Sequence, residues 1–238
     1  MWRMCGRPIR LPTAFRRWGA DAASARRALA LRVLLAVGLC AACVSPAAGA
    51  DPMSLAEAVK AGLVRFEIKG LGGSTGDAIE IVAQRQGSNT LRLALDAGTV
   101  FENRSASVQR MAAFGIKGER VGANTYRPST VMVLADDRAK RFIVEAYCLD
   151  FDRDNPVDGS GFTLAPVDAR AARLLSAGHA ASANPEAIQC ALWLMGGGVS
   201  ESDLRRRFPA SEQDVAAARR LLQQVRGTEP ALKPERGQ

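Results

Sequence analysis

Between Val64 and Leu164, apolar residues recur at every second position in short bursts. That period of two constrains the fold more than any other feature of the chain. Val64, Phe66 and Ile68 alternate with Arg65, Glu67 and Lys69, the pattern of a strand with one face in a core and the other in water. Ile79 and Ile81 flank Glu80, and Leu91, Leu93 and Leu95 flank Arg92 and Ala94. Val100-Phe101, Thr130 to Leu134, and Phe162 with Leu164 add further short strands. The segment Val108–Ile116 fits either strand or helix. Arg141 to Leu149 is apolar on both faces and reads as a central strand. Gly70 to Ser74 and Gly87-Ser88-Asn89 are turn sequences between such runs. Many short strands joined this way predict an antiparallel sandwich or barrel.

After Pro166 the period lengthens to that of a helix. Asp168 is placed to cap a helix carrying Leu174 and Leu175. Asn184 caps the next, with Pro185 at the first helical position and Gly196 to Gly198 at its end. Ser200 and Asp203 open a short helix that stops before Pro209. Ser211 and Asp214 form a capping pair for a last helix through Val225. The expected architecture is α+β: an antiparallel β-sandwich over residues 51–166, a small C-terminal helical subdomain over 167–226, and a disordered tail over 227–238.

Charge separates the first fifty residues from the rest. Of the net +8, seven units come from residues 1–50, where eight arginines face one aspartate. The remaining 188 residues lie within one charge of neutral, so the basic balance does not argue for nucleic-acid binding. Arg26, Arg27 and Arg32 precede an uncharged run from Val33 to Val44. That run falls short of the roughly 20 residues a membrane-spanning helix needs, and it suits the apolar region of a signal peptide. Ala48-Gly49-Ala50 then supplies a small-residue cleavage site before Asp51. The expectation is an exported protein, periplasmic, secreted or at the cell surface, with no membrane span after cleavage. Acylation of Cys43 is the competing reading.

Cleavage there removes Cys5, Cys40 and Cys43 and leaves Cys148 and Cys190. Two cysteines in an exported chain read first as one disulfide, closing a loop of about 40 residues. The helix 185–196 offers Cys148 another partner. Its interior is apolar all round except for Gln189. A buried amide must find hydrogen-bond partners or take part in chemistry. The Cys148 thiolate could displace ammonia from the Gln189 carboxamide and form an internal thioester. Adjacent helix residues point about 100° apart, so one helix placement favours Cys148–Gln189 and another Cys148–Cys190.

Tyr147-Cys148 and Ile188-Gln189-Cys190-Ala191-Leu192-Trp193 resemble the two short motifs of bacterial surface thioester domains, over residues 130–195. The resemblance implies that Cys148 and Gln189 form the thioester. It also implies a β-sandwich-like part joined to a helical part, and covalent attachment to amines on a target surface. This chain differs in placing Cys190 directly after Gln189 and in lacking a cell-wall sorting motif.

Asp150, Asp152, Asp154 and Asp158 have the spaced carboxylates of a calcium loop, but Asn155 stands where such a loop needs glycine, and a solvated turn is the simpler reading. His179, the only histidine, would have to meet Cys148 or Cys190 to make a cysteine hydrolase. Arg205 to Arg207 with Arg219 and Arg220 read as a solvated helix face. Trp193 reads as a core anchor. No zinc-ligand spacing, nucleophile elbow or P-loop is present. The expected function is an exported binding or adhesion module without cofactor, directed at a protein or surface ligand and able to attach to amines through the thioester; the alternative is a non-catalytic structural or interaction protein stabilised by the Cys148–Cys190 disulfide, and a chain with neither bond is the third option.

Overall fold

The computed structural model describes residues 51–227. The proposed leader and residues 228–238 of the proposed tail lie outside the described residues, and Gly227 ends the last helix. In chain order the elements are β1 (Met53–Ser54), α1 (Leu55–Lys60), β2 (Val64–Leu71), β3 (Asp77–Arg85), β4 (Leu91–Ala94), β5 (Thr99–Asn103), β6 (Met111–Arg120), β7 (Tyr126–Pro128), β8 (Met132–Leu134), β9 (Lys140–Cys148) and β10 (Asp158–Val167). The helices α2 (Ala169–Ala180), α3 (Pro185–Gly196), α4 (Glu201–Arg207) and α5 (Glu212–Gly227) follow. The ambiguous segment is β6, which runs on to Arg120.

The strands do not form a sandwich. They run in the order β5-β10-β2-β3-β9-β6, and β6 pairs back with β5, closing a six-stranded antiparallel barrel. Closure rests on two residue pairs, Val100↔Ala112 and Phe101↔Met111. A period of two says only that each strand has one buried face, and a barrel supplies that face as well as a sandwich does. β7 pairs with the C-terminal end of β6, at Gly118 to Arg120. A second sheet holds β1, β4 and β8, with β1 parallel and β8 antiparallel to β4. The register puts Ile68, Ile81 and Phe142 in line, as it does Phe101 and Met111, and these side chains, at most 1% exposed, fill the barrel.

The helices are not a separate subdomain. Leu174, Leu192 and Leu221 belong to the same buried cluster as Ile68 and Phe142. α2 lies against β6, α3 against β9, and α5 against both α2 and α3. Two glycines set these distances. Gly98, at φ +81°, would place a Cβ 2.6 Å from the Cβ of Ala172 at the start of α2. Gly178 would place one 2.8 Å from Cγ1 of Ile188, where α2 crosses α3.

The caps follow their sequence signals. Asp168 accepts from the N–H groups of Arg170 and Ala171, and Asn184 from that of Ala187. Ser54 and Ser200 form capping boxes with Glu57 and Asp203. Ser211 and Asp214 exchange the same pair of bonds before α5, at 2.8 and 3.2 Å. Each satisfies N–H groups that a helix start leaves orphaned.

Candidate functional site

β9 runs past the end of its neighbour. The β3–β9 ladder stops at Asp77↔Glu145, so the last residues of β9 face a loop on that side. The Ala146 and Cys148 N–H groups reach the carbonyls of Gly76 and Ser74 in that loop, at 2.9 and 3.0 Å. The Cys148 carbonyl points the same way, with no strand to meet it.

α3 meets that need. Asn184 fixes its start, and its Nδ2 donates to Asp214 at 2.7 Å, which ties α3 to the start of α5. One turn on, the Gln189 carboxamide reaches the end of β9. Its Nε2 donates to the Cys148 carbonyl at 2.7 Å, and its Oε1 accepts from the Cys148 N–H at 3.0 Å. Gln189 and Cys148 are both 0% exposed. The amide thus stands in for a peptide group of the missing strand, and its carbonyl carbon is held beside the residue that carries the thiol.

Cys148 and Cys190 are both free and buried, so the Cys148–Cys190 disulfide is not present. α3 turns the Gln189 carboxamide onto the Cys148 backbone. Burial, aided by the Asp150 carboxylate, pushes the Cys148 thiol up to about 12. Burial also raises Cys190, to about 11, with help from Asp214 and Glu186.

A cleft of about 310 Å³ is lined by Leu149, the residue after Cys148, and by Trp193, one turn of α3 beyond Gln189. Arg110, Asp150, Asp152, Trp193, Gly196 and Gly197 line it. Burial opposes the charge on Asp150. The Arg110 guanidinium, at 2.7 Å, and the Arg110 N–H, at 2.9 Å, outweigh that effect and hold its carboxyl below the usual range. Trp193 packs edge-on against Phe151 and Phe208. Its indole N–H donates at 3.3 Å to Gln109, whose Nε2 donates at 2.8 Å to Asn155. Trp193 is therefore the anchor the sequence indicates.

Tyr147, preceding Cys148, points to the opposite face. Its hydroxyl donates to Glu145 at 2.6 Å, and Lys117 holds the other Glu145 oxygen at 3.3 Å.

The remaining candidates disperse. Asp150 is committed to Arg110 and Arg153, and Asp158 opens β10. Asp152 and Asp154 are exposed, and no group of three metal-ligating side chains occurs among the described residues. His179 lies against the Phe114 ring with centroids 4.9 Å apart, and it hydrogen-bonds neither cysteine among the described residues. Arg205, Arg206 and Arg219 pair with Glu212, Asp203 and Glu201, while Arg207 lies over Phe151.

Two buried polar groups escape a reading of the sequence. Gln109 is 2% exposed, yet its neighbours in sequence give no sign of the indole it meets. Glu80 is 1% exposed although alternation turns it away from the barrel interior. Arg141 covers it at 2.6 Å from β9, and Arg120 lies 3.1 Å away on β6.

Comparisons with protein-family models, characterised proteins and solved structures find no match for the chain.

Proposed function

We propose that this is an exported binding module that captures amines on a target surface through an internal thioester between Cys148 and Gln189. One observation carries the reading: two hydrogen bonds hold the Gln189 carboxamide on the Cys148 backbone, out of contact with water. Holding two groups together removes much of the entropic barrier to joining them.

In the first step the Cys148 sulfur adds to the Gln189 carboxamide carbon. The C–N bond breaks, and the thiol proton leaves with the nitrogen as ammonia. In the second step a primary amine adds to the same carbon. The C–S bond breaks, the amine is joined to Gln189 as a substituted amide, and Cys148 recovers its proton. Neither step needs an oxidant. Burial guards the acyl group from hydrolysis, and the cleft bounded by Asp152 and Gly197 is the route by which an amine arrives. The leader within residues 1–50 supports export to where such targets are met.

A second reading rests on the same bonds: the amide serves only as a clasp for the end of β9, in a structural or interaction protein. The intact mass of the exported protein, measured without reductant, separates the two. The thioester predicts a loss of one ammonia, the gain of one whole methylamine as the Gln189 methylamide when methylamine is added, and neither effect in Cys148→Ala. An unmodified mass that methylamine leaves unchanged refutes the thioester and leaves the clasp.

A further inference from the structure

Two neighbouring strands of the barrel part company. β10 and β2 pair at Gly161↔Lys69 and Phe162↔Ile68. Beyond Phe162, β10 follows β5 as far as Val167. In the other direction from Ile68, β2 follows β3 to Val64. The wall therefore opens between them, and α1 borders the opening. The result is a cleft of about 640 Å³, within the range that holds small molecules at the mouths of barrels.

Its lining is mostly apolar. Phe66, Ile68, Phe162 and Leu164 come from the two splayed strands, and Val59 comes from α1. Phe66, Val59 and Leu164 are only half-buried, so apolar surface faces open space. Lys60 and Arg104 also line the cleft; both are exposed, and neither makes an ion pair among the described residues. Glu67, the one acid on the lining, is neutralised by Lys69 at 3.1 Å. Two unpaired cations thus border an apolar slot. A ligand that suits both needs an apolar body and an anionic end. A peptide inserted along the strand edges would set its own polar groups against a mostly apolar lining.

We propose that this opening binds a single-chain amphiphile with a carboxylate head, its tail between β2, β10 and α1 and its head at Lys60 and Arg104. The site is separate from Cys148 and Gln189 and does not depend on the thioester.

The test uses the delipidated exported chain and a dansyl-labelled undecanoate as the fluorescent probe. The expected result is saturable one-to-one binding, reversed by palmitate and more weakly by hexadecanol. The double variant Lys60→Gln, Arg104→Gln changes exposed side chains only. It should weaken palmitate at least about tenfold while leaving hexadecanol unchanged, as expected for loss of a charge-assisted contact. Val59→Trp, with an unchanged melting curve, should block both competitors. Absence of saturable binding overturns the proposal, as does binding insensitive to both variants. Equal displacement by palmitate and hexadecanol overturns the carboxylate head, and displacement by an apolar peptide but not by palmitate overturns the amphiphile.

Discussion

Replacing Gln189 by methionine keeps the length and apolar stem of the side chain and removes both of its hydrogen-bonding groups. The Cys148 N–H retains its bond to the Ser74 carbonyl at 3.0 Å. The Cys148 carbonyl loses the Gln189 amide that met it at 2.7 Å and stays buried. Leaving one buried acceptor unpaired costs about 1–3 kcal/mol, while a methionine of similar volume adds little cavity penalty. For a unit of this size each kcal/mol moves the melting temperature by about 2–4 °C, so in a Cys148→Ala background, where no thioester forms and the amide is intact, Q189M should melt roughly 2–12 °C lower. Circular dichroism measures the loss. Fluorescence of Trp193, one turn further along α3 and the only tryptophan after residue 50, reports whether the helix end loosens with it. A Q189M melting point within a degree of the parent refutes the argument that the amide completes the sheet. A second comparison adds to this. If a thioester forms, Cys148→Ala should destabilise beyond its lost packing, since it also removes a covalent bond between β9 and α3.

Further outcomes follow from the structure. Burial pushes Cys148 and Cys190 up to about 12 and 11, so neither thiol should react with iodoacetamide at pH 8 in the folded protein. After unfolding, mass spectrometry should count two labels for free thiols and one where a thioester has formed. Because the raised thiols hold their protons in the folded state, stability should fall as pH rises from the ordinary thiol value of 9 toward 12, and an alkaline melting series showing no such slope contradicts it. Gly98→Ala should destabilise by about 2 kcal/mol or more, because its Cβ combines an unfavourable φ with overlap on α2; a urea midpoint equal to the parent's argues against that close approach. Asp150 has its carboxyl lowered below 3.8, so its contribution is present above that value and is lost as pH falls through the folded value. Asp150→Asn should flatten the acid limb of the stability curve, and an unchanged limb removes Arg110–Asp150 from the account.

Much of the candidate site was legible in residues 184–193. An apolar helix with a single amide predicts a buried Gln189 that must be satisfied, and the motif at Tyr147-Cys148 names a partner on a central strand. Which bond α3 favours was not legible. Gln189 and Cys190 differ by a rotation of about 100° about one helix axis, and the packing of α3 against β9 and α5 turns the Gln189 amide onto the Cys148 backbone. The partner of Asp150 was hidden for a related reason. Spacing fixes which residues could converge, but Arg110, forty residues earlier in the chain, takes Asp150 for itself.

By itself the sequence determined the local structure: strands where apolar residues alternate, helices where Asp168, Asn184, Ser200 and Ser211 cap them, and breaks at the glycine-rich turns. These depend on backbone preferences and on one buried face per element, which neighbouring residues specify. Only the tertiary structure decided between sandwich and barrel. That choice turns on the pairing of Val100 and Phe101 with Ala112 and Met111, on the splay of β2 from β10, and on helices that share the barrel's core. A buried face is satisfied by any apolar partner, so the alternation of residues along a strand does not say which strand lies beside it.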